Sequence, residues 1–379
     1  MLIPVSAEIL SIEIPFRFEF SHALAQRAVG EGVLLVVRDG QGRCGHGECT
    51  PRSYVTGETA ATVLADLAQR VPALLGRRWT SFAELVAELA SQSAALPRAA
   101  QAAFCALELA LLDLGGQVFG HSAGVPLGAV CTPLVAYSGV VSAGGHAAAA
   151  AACARAQRLG VSRVKVKVGR TLAEDLETLA TVRESLGPTA RLRVDANGAW
   201  DAPTALERLT AFADFELEGL EQPCAADDLQ GLAWLAARSP VPLIADESLV
   251  SLEDARRLAA AHACHVFNVR ISKCGGLLAS GRIRDIGRAA GIASMLGAHV
   301  GETAILAAAG RQFAARTPDL RFAEGSYGRL LLEADVSDAL DLQPGGLGAL
   351  PSGNGLGLQP ELARIAPFIV ARTALGTPR

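Results

Sequence analysis

A set of lysines and carboxylates stands out for what it could do together. It reads Lys165-Val166-Lys167, Asp195-Ala196-Asn197, Glu221-Gln222-Pro223, Asp246-Glu247-Ser248 and Lys273-Cys274-Gly275-Gly276. The steps from Lys167 to Asp195, Glu221, Asp246 and Lys273 are 28, 26, 25 and 27 residues, each about one strand-plus-helix unit. Three carboxylates converging without His or Cys make a hard, oxygen-rich site that suits Mg²⁺, with Mn²⁺ as a substitute. Such an ion keeps positions open for a substrate carboxylate. A lysine on each side could then take the proton from the adjacent carbon while the ion stabilises the enediolate, which is Lewis-acid catalysis. A lysine at its ordinary pKa is a poor base at neutral pH. Lys165 and Lys167 share a strand face at i and i+2, so each is expected to disfavour protonation of the other, with the metal charge adding to the effect. A single Asp at a strand end is commonly a helix cap, and a lone Lys-x-Lys is commonly a solvated edge. Five such motifs at five consecutive strand ends do not fit that description.

The elements that must position them follow from the apolar pattern. From Leu134 on, short apolar runs alternate with helical stretches: Leu134 to Tyr137, Arg163 to Val168, Leu192 to Asp195, Leu217 to Glu221, Leu243 to Asp246, Val266 to Ile271, Ala293 to Leu296 and Leu320 to Ala323. Eight strand-helix repeats predict an α/β fold, a (β/α)8 barrel over 131–340. The chemical groups stand at the C-terminal strand ends, the rim where such barrels carry their active sites, and are expected to be wet. Residues 3 to about 20 and 31 to 38 read as strands, with a hairpin turn at Asp39-Gly40-Gln41-Gly42. The stretches 58–75, 80–91 and 98–115 have helical spacing. The first 130 residues are therefore expected to form an α+β capping domain. The Gly- and Pro-rich run Gly345 to Gly357 is expected to be a loop, in a C-terminal segment (341–379) that packs back on the cap.

The remaining composition narrows the partners. The 379 residues include 34 Lys plus Arg and 38 Asp plus Glu, a formal net charge of −4. That balance argues against nucleic acid, since phosphate binding wants a basic face. No uncharged apolar stretch reaches spanning length, so no membrane partner is expected. Eight scattered cysteines without a Cys-x-x-Cys pair and no leader pattern point to a reduced cytoplasm. His262-Ala263-Cys264-His265 has no second half to complete a zinc site. Gly353-Asn354-Gly355-Leu356-Gly357 lacks the strand and helix of a dinucleotide loop.

The spaced motifs resemble the enolase superfamily, and within it the muconate-lactonizing-enzyme (mandelate racemase/muconate lactonizing enzyme) subgroup. The resemblance rests on Val164–Gly169, Val194–Asn197, Leu220–Pro223, Ala245–Ser248 and Ser272–Gly276. Ala106–Asp113 before the barrel and Gly355-Leu356-Gly357 near the end also carry it. It implies that Asp195, Glu221 and Asp246 bind Mg²⁺, that Lys167 and Lys273 are an acid/base pair, and that Lys165 tunes Lys167 and touches the substrate carboxylate. Asn197 and Glu247 would support the metal shell. Two loops of the cap, about Phe20 to Arg27 and Thr50 to Glu58, would close over the substrate, with Arg27, Arg52 and Tyr54 as contacts. His299 and Glu324 are further candidate contacts.

Two positions depart from relatives of known substrate class. Muconate-lactonizing enzymes carry an acidic residue where this chain reads Met295 to Glu302. Dipeptide epimerases carry Asp-x-Asp where it reads Ala323-Glu324-Gly325-Ser326-Tyr327. A His-Asp dyad as in mandelate racemase is not expected, because Lys273 occupies the sixth-strand position. The expectation is an enzyme, a homo-oligomer, that abstracts a proton α to a carboxylate of a small substrate. Two lysines suit racemisation or epimerisation of an amino-acid derivative or dipeptide. Muconate-type cycloisomerisation and dehydration like that of o-succinylbenzoate synthase share the half-reaction, and a non-catalytic metabolite-binding barrel is the rival from another class.

Overall fold

The computed structural model describes residues 1–22, 25–142 and 145–376, leaving out the side chains of 18–27. Its strands in chain order are β1 Pro4–His22, β2 Ala25–Asp39, β3 Cys44–Cys49, β4 Leu134–Ala136, β5 Gly139–Val141, β6 Arg163–Lys167, β7 Arg191–Asp195, β8 Leu217–Glu221, β9 Leu243–Ala245, β10 Val266–Arg270, β11 Ala293–Gly297, β12 Leu320–Ala323, β13 Leu347–Ala349 and β14 Ile369–Gly376.

The first three strands and the last form one antiparallel sheet in the order β14-β1-β2-β3. The helix Gln101–Phe119 lies against β3. Its residues are apolar on every side because nearly all of it is buried. The stretch Arg98–Phe119 is long and apolar enough to cross a membrane by length and composition, and 83% of its most apolar window lies inside the protein. The close approach depends on Gly45 and Gly47, where a Cβ would run into the carbonyl oxygens of Ala110 and Ala106.

Strands β5 to β12 form an eight-stranded parallel sheet in sequential order, curled so that the Ser138 amide donates to the Ala323 carbonyl at 2.8 Å across the seam. The strands are buried on both faces, as parallel strands wrapped by helices must be. Two expectations need correction. Leu134–Ala136 pairs antiparallel with β13, and the first barrel strand is β5. Periodicity cannot choose between two short apolar runs three residues apart. The run Gly345 to Gly357 also contains a short strand, β13, before Gly355 docks on the end of the core helix: the Gly355 amide donates to the His121 carbonyl, and the Leu356 amide to Asp113 Oδ1 at 2.9 Å.

Candidate active site

Strand register does the assembling. Lys167 pairs with Asp195, and Asp195 with Glu221, so three chemical groups sit side by side on adjacent strands. Ile244 lies opposite Glu221, and Asp246 follows two residues later. Lys273 comes from the turn after β10, four strands round from β6. Just past the strand ends, Asn197 (φ 47°) and Gln222 (φ 35°) turn the chain in the left-handed region. That conformation costs most residues but suits Asn better than most. The Gln222 side-chain oxygen Oε1 accepts the amides of Asp246 and Ser248, at 2.9 and 3.2 Å, and so fixes the next turn.

The charges form one buried network. Lys167 Nζ lies 2.6 Å from Asp195 Oδ2 and 2.8 Å from Asn197 Oδ1, and Asn197 Nδ2 donates to Glu247 at 2.9 Å. Lys165 Nζ lies 2.8 Å from Glu324, 3.1 Å from Asp195 and 3.2 Å from Glu221. Lys273 Nζ donates to Asp246 Oδ1 at 2.7 Å and to its carbonyl at 2.6 Å. The other Asp246 oxygen is held by Arg270, and Glu324 by Arg193. Asn268 Nδ2 donates to Glu221 at 2.8 Å.

The three carboxylates are not wet. Asp195, Glu221 and Asp246 are fully buried, because lysines and the Arg270 guanidinium cover them from above. Lys165 also departs from expectation. Burial alone would lower its pKa, but Glu221, Glu324 and Asp195 outweigh that and raise it above the ordinary lysine range. Its carboxylate neighbours, not Lys167, set its state. Burial raises Glu221 to about 8, with the nearby charge of Asp195 adding. For Asp195, burial is opposed and overcome by Lys167 and Lys165, which hold it below the usual range. For Asp246, burial is likewise overcome by Arg270 and Lys273.

Among the described residues, no group of three or more His, Cys, Asp or Glu side chains stands ready as a metal cage. The expected convergence is thus not met with these rotamers, since each carboxylate points at a cationic side chain. The donor set still fits a hard divalent cation: three adjacent, dry carboxylates whose mutual repulsion raises Glu221, together with a buried Glu247 oxygen (Oε2) that has no partner.

Above the network lies a cavity of about 450 Å³ whose lining includes Lys165, Lys167, Asn197, Glu247, His299 and Glu324. Arg52 and Tyr54 line it as well. Arg52 is almost wholly buried and donates to the carbonyls of Pro51 and Val300, at 2.8 and 2.7 Å, clamping the cap loop to the barrel. Burial, with Arg270 and Arg52 adding, keeps His299 well below its ordinary pKa and hence neutral. Its Nδ1 meets Thr50 Oγ1 at 3.1 Å, and its Nε2 has no partner. The Arg27 side chain lies outside the described residues. Sequence reasoning missed Arg193, Asn268 and Arg270. The signal was there in Arg191-Leu192-Arg193-Val194-Asp195 and Asn268-Val269-Arg270, where polar residues alternate along otherwise apolar strands and share a face with the chemistry.

The family described as enolase C-terminal domain-like matches residues 147–364. Muconate cycloisomerase 1-1 of Acinetobacter lwoffii is 30% identical over 89% of this chain and 89% of its own length. This chain belongs to the enolase superfamily. It falls in the mandelate racemase/muconate lactonizing subgroup, whose members found here are racemases, epimerases and cycloisomerases. A hydrophobic dipeptide epimerase of Enterococcus faecalis is 28% identical over 91% of this chain and 96% of the relative. A crystal structure of dipeptide epimerase from that organism, complexed with Mg and the dipeptide L-Leu-L-Tyr, superposes with a TM-score of 0.86. It is 26% identical and covers 94% of this chain and 99% of the other. In this chain the network of Lys165, Lys167, Asp195, Glu221, Asp246 and Lys273 stands at the C-terminal ends of the parallel strands.

Proposed function

We propose that this chain is a Mg²⁺-dependent enzyme that removes and returns the proton α to a carboxylate, and that it racemises or epimerises an amino-acid derivative. One observation carries the reading. Lys167 ends the second strand of the eight-stranded barrel and Lys273 follows the sixth, four strands round, a placement that supports two amines working from opposite sides of a substrate, although Lys273 is buried beside Asp246 and does not line the cavity. A substrate between them presents one face to each, as proton transfer on and off a single carbon requires.

Asp195, Glu221 and Asp246 would hold the ion, with Asn197 and Glu247 orienting Asp195 and Lys167. Mg²⁺, or Mn²⁺ in its place, supplies positive charge against the negative charge that grows on the substrate carboxylate as the proton leaves. Lys167 and Lys273 move the proton. Lys165, held protonated by its carboxylate neighbours, is a fixed cation beneath the substrate carboxylate. His299 offers a neutral ring and an unpartnered nitrogen as a polar contact, and Arg52 and Tyr54 close the cap side. Glu324 stands where dipeptide epimerases carry Asp-x-Asp, but it is already engaged by Lys165 and Arg193. A free substrate ammonium at the eighth strand would have to displace Lys165 or Arg193 from Glu324. This favours an acylated amino acid over a free dipeptide.

The test is proton NMR in D₂O on both enantiomers of N-acyl amino acids. Lys167→Ala and Lys273→Ala should each abolish racemisation, while each retains α-proton exchange with only the enantiomer that faces its remaining lysine. Exchange that depends on the same single lysine for every substrate would point instead to cycloisomerisation or dehydration. Full activity in metal-free buffer with excess chelator would remove the ion from the reading.

A further inference from the structure

Strand order assigns the sides of the rim. Asp195 and Glu221 end β7 and β8, Asp246 follows β9, and the lysines flank them, Lys167 on β6 and Lys273 after β10. A substrate held by its carboxylate at the three acids therefore sends the other groups of its α-carbon toward the ends of β11, β12 and β5. At β12 the polar side chains are already engaged. Glu324 is held by Lys165 and Arg193, Ser326 Oγ accepts two hydrogen bonds from Arg311 at 2.8 and 3.0 Å, and Tyr327 Oη donates to the Ser138 carbonyl at 3.0 Å.

The end of β11 is different. His299 and Glu302 both line the cavity there. Glu302 Oε1 accepts the His299 amide at 2.7 Å, and the Glu302 amide returns to the His299 carbonyl at 3.3 Å, so one tight turn presents both side chains. His299 is 5% exposed, its Nδ1 is engaged by Thr50, and its Nε2 has no partner. Glu302 is partly exposed, and its second oxygen makes no hydrogen bond among the described residues. Both groups are neutral at pH 7. Burial keeps the His299 ring uncharged, and burial raises Glu302 to about 8, with Glu48 adding and the His299 amide, Arg270 and Arg52 opposing.

We propose that His299 and Glu302 are specificity-determining residues that together bind a neutral carboxamide carried on the substrate's α-carbon. The proposal rests on the reading of the rim as a site for α-proton transfer on an amino-acid derivative, and it names the group that the β11 end selects. A cation here would meet Arg52 and Arg270, and an anion would meet Glu302 with Glu48 behind it. An apolar group would leave the buried His299 nitrogen without a hydrogen bond, which is the costly case. A carboxamide carries an N–H donor and a carbonyl acceptor side by side. A neutral imidazole nitrogen and a neutral carboxyl group answer both, whichever way their single protons lie. Two carboxamides can supply the group, the amide of an acylated nitrogen or a primary amide that ends the side chain, and the test tells them apart.

Binding tests this separately from turnover. Calorimetric titration of the Mg²⁺-loaded protein compares three racemic compounds: N-acetyl-glutamine, N-acetyl-homoleucine, whose side chain has the same shape without the amide, and 2-acetoxy-5-methylhexanoate, the ester analogue of the second. A side-chain amide in the subsite makes the first bind about tenfold or more tightly than the second; the acyl amide makes the second bind about tenfold or more tightly than the third. Whichever preference the wild type shows should be lost in His299→Leu and in Glu302→Met. Glu302→Gln should keep it, because its neutral amide still accepts from the His299 amide and still donates. Each readout is a ratio within one protein, which a general loss of folded material does not move. Equal Kd values for all three compounds, a preference unchanged in His299→Leu and Glu302→Met, a preference lost in Glu302→Gln as fully as in Glu302→Met, or no binding by any of the three would overturn the proposal. Failure of α-proton exchange in D₂O with a compound that binds and shows the preference would instead strike the proton-transfer reading.

Discussion

At the scale of single residues, Asp246 is the most heavily committed side chain of the site. One oxygen takes the Lys273 ammonium and the other the Arg270 guanidinium; Asp246 and Lys273 are fully buried, and Arg270, 12% exposed, faces the cavity. Removing one partner of a buried ion pair strands the other charges, at about 3–5 kcal/mol. Asp246→Asn should therefore do two things: weaken Mg²⁺ binding strongly, measured by calorimetry, and lower the urea-unfolding free energy in metal-free buffer by several kcal/mol. An unchanged unfolding free energy would mean that Arg270 and Lys273 find other partners. The carboxylates and lysines were legible in the sequence because they recur at the interval of one β/α unit. Arg193 and Arg270 were not, because an arginine inside a barrel strand reads as an edge residue until the strand's partners are known. The dryness of the triad was not legible either. It arises from side chains on four different strands folding over one another, and no single motif records that.

At the scale of elements, three glutamates of the cap share a task. Glu58 accepts the amides of Ala102 and Ala103 at the start of the core helix. Glu108, on that helix, accepts the amides of Leu277 and Leu278 at the start of the barrel helix Leu277–Ala289. Glu48, on β3, accepts those of Thr303 and Leu306 at the start of Ala304–Ala314. Each meets the unpaired amides and the positive end of a helix. The run Ala106 to Asp113, which carried part of the family resemblance, is thus a docking element: Glu108 holds a barrel helix and Asp113 holds the C-terminal loop. Burial nevertheless raises Glu108 from 4.5 to about 8, although the helix amides oppose it. The folded protein binds this proton more tightly than the unfolded chain. Stability from Glu108 is therefore full below about pH 4.5 and is lost as pH rises toward 8. The unfolding free energy of the wild type should fall relative to that of Glu108→Gln between pH 5 and pH 8, by up to about 1.4 kcal/mol per pH unit. Parallel pH profiles for the two proteins would mean that the helix amides keep this carboxylate ionised. The hairpin turn at Asp39 was legible because its side chain accepts the amides of Gln41 and Arg43 within the same short stretch. The first barrel strand was not, because its identity depends on a partner 211 to 215 residues further along that draws Leu134–Ala136 away.

At the scale of the whole molecule, the cap and the barrel are tied together in both chain directions. β14 returns from beyond the barrel to pair with β1, residue for residue from Ser6 with Gly376 to Ser11 with Ala371. The cap carboxylates Glu48 and Glu108 satisfy helix ends that belong to the barrel, and Arg52 and Arg98 donate to barrel-side carbonyls at Val300 and Glu247. Neither half can open without leaving buried polar groups of the other unpaired, at about 1–3 kcal/mol for each group. The two halves should therefore unfold in one transition although each has its own sheet. Tryptophan positions make this measurable. Trp79 is buried in the cap, bridged to Leu2 just ahead of the first strand, while Trp200 and Trp234 belong to the barrel. In a Trp200→Phe/Trp234→Phe background, Trp79 fluorescence reports the cap alone and far-ultraviolet dichroism reports the whole chain. The two urea curves should superimpose. Adding Glu48→Ala and Glu108→Ala cuts the carboxylate ties while leaving both cores intact, and the Trp79 curve should then shift to lower urea than the dichroism curve. Curves already apart before the ties are cut would mean that the cap folds and opens on its own, and that closing it over the substrate draws on a domain equilibrium rather than on the two loops.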